Sequence, residues 1–210
     1  LGGYDPYSAS KASVELLVSS YRQSFFNNSD SLLLSSVRAG NVIGGGDWAE
    51  DRLIPDLIRS INSDNKLKIR YPNASRPWQH VLDCLCGYFQ LGQKLLEGQR
   101  KFAEAWNFGP DYSDIASVND VLLKLKKHWT DLNWIIEQRD NLHESSILQL
   151  DSNKAKERLN WNMTWSLDEA LEETAIWYKE FLQGKNLISL EQIEKYRAKA
   201  DEKNSTWVNI

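Results

Sequence analysis

A chain of 210 residues, 41% hydrophobic and 26% charged, has the composition of an ordinary soluble globular protein with room for one large or two small domains. A net charge of -4 argues against a nucleic-acid polyanion as the main partner. No apolar run approaches the roughly 20 residues that span a bilayer, so no membrane partner is expected.

The first predicted helix opens on Tyr7-Ser8-Ala9-Ser10-Lys11 and runs to about Phe26, ended by Asn27-Asn28. Tyr7 and Lys11 are four apart, so they stack one turn above the other. Val14, Val18, Tyr21 and Phe25 extend the same face as an apolar stripe, which is expected to be buried. A lysine within such a stripe needs a partner, and a nearby ammonium favours the phenolate form of a tyrosine. The pair therefore points to proton transfer at Tyr7. Taken alone the spacing is too short a pattern to exclude a surface Tyr and Lys on a frayed first turn.

Residues 31–37, centred on Leu32-Leu33-Leu34, read as a strand buried on both faces, as in a parallel sheet. It delivers the chain to a loop over residues 38–47, and loops after strand carboxyl ends are where open α/β sheets bind ligands. Gly44-Gly45-Gly46 allows a close backbone approach or a sharp bend, without the Lys-Ser/Thr of a P-loop. Residues 53–61 read as a helix and 67–71 as a strand. A loop with Pro72, Arg76 and Pro77 precedes a helix over about 82–96, whose buried face is marked by Leu82, Leu85, Cys86, Phe89 and Leu96. Cys84 and Cys86 are two apart on that helix and cannot face each other, which predicts reduced core thiols in a cytoplasmic protein.

Residues 105–108 form a predicted strand stopped by Gly109-Pro110. A helix over 118–129, a strand over 134–137 and a helix over 151–159 follow. Ser166-Leu167-Asp168-Glu169 is a capping box opening a helix with the stripe Leu167, Ala170, Leu171, Thr174, Tyr178 and Phe181. Residues 189–200 read as a polar helix, and the last ten as loose. The alternation of strands and helices implies α/β layering, with the short elements over 47–78 set apart as a smaller lobe. The nine tryptophans are expected to be packing residues. His128 closes a helix, where its charge is favourable, and His80 is expected to fix the loop entering the next helix. His143 precedes Glu144 without the second histidine of a zinc-protease motif, so no metal site is expected.

Tyr7-Ser8-Ala9-Ser10-Lys11, Arg38-Ala39-Gly40-Asn41-Val42-Ile43-Gly44-Gly45-Gly46-Asp47-Trp48 and Asp51-Arg52-Leu53-Ile54-Pro55-Asp56 resemble the extended short-chain dehydrogenase/reductases. Arg76-Pro77-Trp78-Gln79-His80-Val81, Trp106-Asn107-Phe108-Gly109-Pro110, His143-Glu144 and Asp151-Ser152-Asn153-Lys154-Ala155 continue the match, more narrowly to the CDP-glucose 4,6-dehydratases. The glycine-tryptophan and Arg-Pro-Trp-Gln-His stretches are the most specific, because sister dehydratases acting on dTDP- or GDP-sugars differ there.

The resemblance implies an α/β fold, the C-terminal part of a doubly wound Rossmann-type parallel sheet with a small substrate-binding lobe. Residues 1–46 and 79–140 would belong to the NAD-binding domain, 47–78 and 141–200 to the nucleotide-sugar lobe, and 201–210 to a tail. It implies an NAD-dependent hydro-lyase that makes a 4-keto-6-deoxy sugar. In that reaction Tyr7 removes the 4-hydroxyl proton, while Lys11 bonds the nicotinamide ribose and holds the tyrosine partly ionised. A tyrosine near its reference pKa of about 10 is a poor base at neutral pH, so the role requires such a lysine. Asn41 resembles the asparagine that reaches the sugar diphosphate. Arg52 and Arg76 resemble arginines around that diphosphate, where a guanidinium fork matches phosphate oxygens. Arg70 is a weaker candidate for the same pocket, and His143 is implied to be a substrate-lobe residue. Ile147 departs from the aromatic residue that relatives often carry nearby.

The dinucleotide fingerprint and the acid and base of the elimination have no counterpart in these residues and are expected upstream of Leu1. By itself the chain is therefore expected to bind NAD poorly and turn over nothing. A homodimer is the implied assembly. Three rival readings are an epimerase or reductase on the same scaffold, a silent sugar-nucleotide sensor, and a structural α/β domain.

Overall fold

The protein is described by a computed structural model covering residues 3, 5–26, 32–61, 66–137 and 148–209. Helix α1 (Pro6–Ser24) begins at a complete cap. The Asp5 carboxylate accepts from the Ser8 N–H at 3.0 Å, and Ser8 Oγ accepts from the Asp5 N–H at 3.3 Å. Pro6 occupies the first position, where a missing N–H costs nothing.

The chain continues through β1 (Ser36–Ala39), β2 (Asn41–Ile43), α2 (Leu53–Ser60), β3 (Leu67–Ile69), β4 (Ser75–Arg76), β5 (Trp78–His80) and α3 (Val81–Leu96). Then come β6 (Ala105–Phe108), β7 (Ala116–Ser117), α4 (Val118–His128), β8 (Trp134–Ile136), α5 (Asn153–Leu159), α6 (Leu167–Leu182) and α7 (Ser189–Glu202). Strands β1 and β6, β2 and β5, and β3 and β8 pair in parallel, whereas β4 and β7 are antiparallel. Parallel pairing needs long crossovers, which the helices supply. The fold is thus the expected α/β arrangement.

The loop expected over 38–47 is strand in half of its residues, at its start. The chain changes neighbours at Gly40, leaving β6 for β5. The Gly40 N–H still donates to Phe108 at 3.2 Å, while the Asn41 N–H already donates to Pro77 at 2.8 Å. A Cβ at Gly40 would collide with the Pro77 carbonyl, so the switch requires glycine.

Two apolar cores form among the described residues. One gathers Leu57, Val121, Leu122, Leu125, Leu132, Ala170 and Leu171 between α2, α4 and α6. The other gathers Trp106, Phe108, Ala155, Trp161 and Tyr196 between β6, α3, α5 and α7. Trp78, Trp106, Trp129, Trp161, Trp165 and Trp177 are all buried, in line with a packing role. Burying an indole leaves its N–H needing a partner. Trp78, Trp106 and Trp161 donate to the carbonyls of Ala116, Phe102 and Asp83 at 3.0, 2.9 and 3.1 Å.

Four expectations are corrected. The strand expected over residues 31–37 runs over Ser36–Ala39 instead, and Leu32 ahead of it is exposed with Leu33 and Leu34 half-buried. The apolar stripe of α1 is not buried: Tyr7, Val14, Tyr21 and Phe25 are exposed and Val18 is half-buried. The helix docks instead through Ser8, Ala12, Glu15, Ser19 and Arg22, because polar bonds set its rotation. Glu15 pairs with Arg38 at 2.6 Å, and Arg22 donates to the Ala103 carbonyl at 3.0 Å. Helix α3 is likewise turned. Leu85, Phe89 and Leu96 face outward, while Asp83, Cys84, Cys86, Gly87, Gln90 and Leu91 are buried. Gly87 lies against Phe108 and Trp161, where no side chain fits. Finally, the tail is not loose. Helix α7 extends to Glu202, a 3₁₀ turn spans Thr206–Asn209, and Trp207 stacks on Tyr196 at 5.8 Å.

Candidate functional site

A cleft of about 760 Å³ opens beside the point where the chain changes strands at Gly40. Tyr7 reaches it from the first turn of α1, Asn41 from β2, Arg52 from the cap position of α2, and Arg76 from β4. Four candidates drawn from distant parts of the chain therefore share one concavity. Lys11 stands one turn above Tyr7, its Nζ 5.4 Å from the centre of the phenol ring. The two side chains share a helix face, as their spacing predicts, but that face is open: Tyr7 is 68% exposed.

The orientation of α1 is set from β1. Arg38 Nε and Ser36 Oγ donate to the two oxygens of Glu15 at 2.7 and 2.8 Å, and Arg38 Nη1 donates to Asn107 at 2.8 Å. The Arg38 guanidinium holds the Glu15 carboxyl below its ordinary range. The Tyr7–Lys11 face is thereby fixed relative to the cleft by charge-assisted bonds instead of apolar packing.

The cleft carries the guanidiniums of Arg52 and Arg76 and the carboxylates of Asp47 and Asp51, against a wall that includes Trp78, Val81 and Val118. Such a mixture can hold an anionic group next to a polar, hydroxyl-rich one. Asp51 adopts a left-handed backbone, φ 59°, a conformation aspartate tolerates better than most side chains. Gly44 and Gly45 line the cleft, yet a side chain at either would meet packed groups. Gly45 presses on the Trp177 indole, and Gly44 abuts Val81 and His80, so close approach is met by packing.

His80 caps α3 through Nδ1, which accepts from the Leu82 N–H at 3.2 Å. That bond places the proton of the neutral ring on Nε2, and burial pushes its pKa down to about 3. It acts as a structural cap, as expected. His128 ends α4. Arg70 is exposed and lies outside the cleft lining. His143, with Glu144 and Ile147, lies outside the described residues. Both cysteines are buried free thiols, and burial pushes Cys86 up to about 11. Among the described residues no group of three or more His, Cys, Asp and Glu side chains is placed to hold a metal ion. Nor is any described helix long and apolar enough to cross a membrane.

Sequence reasoning passed over Asp47, Trp78 and Val118. Trp78 was findable, since it follows Arg76 by two positions and successive side chains alternate along an extended chain. Val118 carried no signal, because only the fold brings the start of α4 to the cleft.

Residues 2–174 match the family model described as GDP-mannose 4,6 dehydratase. The chain is 44% identical over 193 residues to CDP-glucose 4,6-dehydratase of Salmonella typhimurium, a match covering 90% of this chain and 54% of that protein. The chain thus spans about half the length of the curated relative it matches. Among solved structures it is similar to dTDP-glucose 4,6-dehydratase from Bacillus anthracis in complex with NAD, with a TM-score of 0.69 and 19% identity over 88% of this chain and 55% of that one. It is also similar to UDP-glucuronic acid 4-epimerase from Bacillus cereus in complex with UDP-glucuronic acid and NAD, with a TM-score of 0.69 and 23% identity, covering 84% of this chain and 53% of that one. These structural likenesses establish a shared fold of the Rossmann type. With the family match over most of its length and a relative at 44% identity, the chain belongs to the GDP-mannose 4,6 dehydratase family.

Proposed function

We propose that this chain carries the tyrosine-lysine pair and the nucleotide-sugar cleft of a 4,6-dehydratase. The enzyme is an NAD-dependent hydro-lyase that converts CDP-glucose to CDP-4-keto-6-deoxyglucose. The observation that supports this most is the convergence of Tyr7, Asn41, Arg52 and Arg76 on one cleft. The Salmonella relative bears the name of the same activity.

An exposed phenol with an ammonium on the same helix face, at the edge of an open cleft, fits the ribose and ring end of NAD. A packed and buried pair would leave no room for it. Bound NAD supplies hydride acceptance from C4 of the sugar and hydride return at C6. Tyr7 receives the proton of the 4-hydroxyl. Lys11 bonds the ribose, holding the nicotinamide end of the cofactor beside the phenol with which it shares a helix face. Arg52 and Arg76 hold the diphosphate through charge-assisted bonds, Asn41 reaches the sugar-diphosphate junction, and His143 belongs to the same lobe. A cytoplasmic homodimer is the assembly this reading implies.

The test joins this chain to the part of the Salmonella relative that the match leaves uncovered, then supplies NAD and CDP-glucose. Product is followed by the ultraviolet absorbance of the 4-keto sugar in alkali and by mass. Loss of one water with the 4-keto signal supports the reading. A product of unchanged mass points to an epimerase, and no product at all with the nucleotide bound refutes the dehydratase.

A further inference from the structure

The rim of the cleft formed by residues 47–52 has no strand partner among the described residues, yet its shape is specified from behind. We infer that Tyr178 is the positioning residue of this rim, fixing it in the form that admits a nucleotide sugar; the inference rests on the proposed function above. Tyr178 is fully buried in α6, and its hydroxyl donates to the carbonyl of Asp47 at 2.6 Å. Trp48 meets the Tyr178 ring edge-on at 5.3 Å and Phe181 at 5.2 Å. From the other side, Arg59 of α2 donates to the carbonyls of Trp48 at 2.7 Å and Ala49 at 3.1 Å.

Three successive carbonyls are therefore satisfied by side chains of two flanking helices. Residues 46–52 are exposed, so water would satisfy these carbonyls equally well, and the bonds to α2 and α6 instead hold the loop to one path. That path turns Asp47, Asp51 and Arg52 into the cleft. The ring of Tyr178 would pack equally well as phenylalanine. Its hydroxyl, aimed at the Asp47 carbonyl of the rim, adds nothing to the apolar core and acts on the loop.

The test is Tyr178→Phe, which keeps the ring and removes the bond. In the full chain, hydrogen exchange at amides 45–52 should speed up roughly 5–10-fold, while the α4 core around Leu122 stays at the wild-type rate. In the fused enzyme described above, KM for CDP-glucose should rise by a similar factor with kcat within about twofold, and KM for NAD should not move. Wild-type exchange in the rim would refute the inference, as would faster exchange spread equally through α4. A wild-type KM in the variant would also refute it. If the unaltered fusion has no turnover, the dehydratase reading fails on its own, and the exchange data still decide the role of Tyr178.

Discussion

Asp83 offers the sharpest physical test of this structure. It sits in the first turn of α3 with no solvent exposure, its Oδ1 accepting from the Thr164 N–H at 2.6 Å and the Tyr196 hydroxyl at 2.8 Å. Among the described residues its Oδ2 has no hydrogen-bond partner in good geometry, with the Trp165 backbone the nearby group that pulls on the carboxyl. Burial raises its pKa from 3.8 to about 6, against the opposing pull of those hydrogen bonds and of Lys203. A carboxyl whose folded pKa lies above its unfolded value binds its proton more tightly when folded. Its contribution is complete below the unfolded pKa and is lost as pH rises through the folded one.

The two-unit gap amounts to about 3 kcal/mol, because each unit is worth about 1.4 kcal/mol. Asp83→Asn keeps an oxygen for Thr164 and Tyr196 and cannot titrate, so its own cost is the same at every pH. Other carboxyls respond in the opposite direction: Glu15 and Glu104 are held low by Arg38 and Lys154. They are common to both proteins and cancel in the difference. Urea unfolding of both proteins at about pH 4 and about pH 7.5 should show the variant gaining about 2.4 kcal/mol on the wild type between the two, because at pH 4 the unfolded carboxyl is already partly ionised. A difference that stays constant would mean Asp83 is solvated or titrates normally, and the described burial of α7 on α3 would be wrong.

Three further outcomes are expected. In the fused enzyme, Tyr7→Phe should lower kcat by about 10²–10⁴-fold while calorimetric affinity for CDP-glucose is retained, because the change removes only the hydroxyl proposed to accept the proton. Gly45→Ala drives a methyl group into the Trp177 indole and should lower stability by about 1–3 kcal/mol in denaturant unfolding; an unchanged midpoint would contradict the packing of the rim on α6. Leu171→Ala, at a site with no exposure between α4 and α6, should cost about 2–5 kcal/mol in the same assay.

Elements whose phase and caps are local were legible in advance. Ser166 and Glu169 form the capping box that opens α6, and Ala170, Leu171, Thr174 and Tyr178 of the expected stripe are fully or nearly fully buried. Strand β6 spans the residues expected of it. Strands β2 and β5 were not foreseen. Each is three residues long, they carry Asn41, Gln79 and His80, and their pairing joins residues 37 positions apart. Apolar periodicity misjudged α1 and α3 for a common reason. Glu15 and Asp83 turn inward because Arg38, Thr164 and Tyr196 are there to satisfy them, and hydropathy does not register a distant partner. In the cleft, Tyr7 stood out by its spacing to Lys11, and Asn41, Arg52 and Arg76 by resemblance to a family, whereas Asp47, Trp78 and Val118 joined them only through folding.

The amino-acid order alone settled where helices start, that the α/β class applies, and that Tyr7 and Lys11 share a face, since these depend on neighbours within a turn or two. The three-dimensional arrangement decided which faces are covered, which indole meets Gly45, and why a carboxyl at position 83 holds its proton to about pH 6. Burial and desolvation are set by groups far apart along the chain, and only packing brings those groups together.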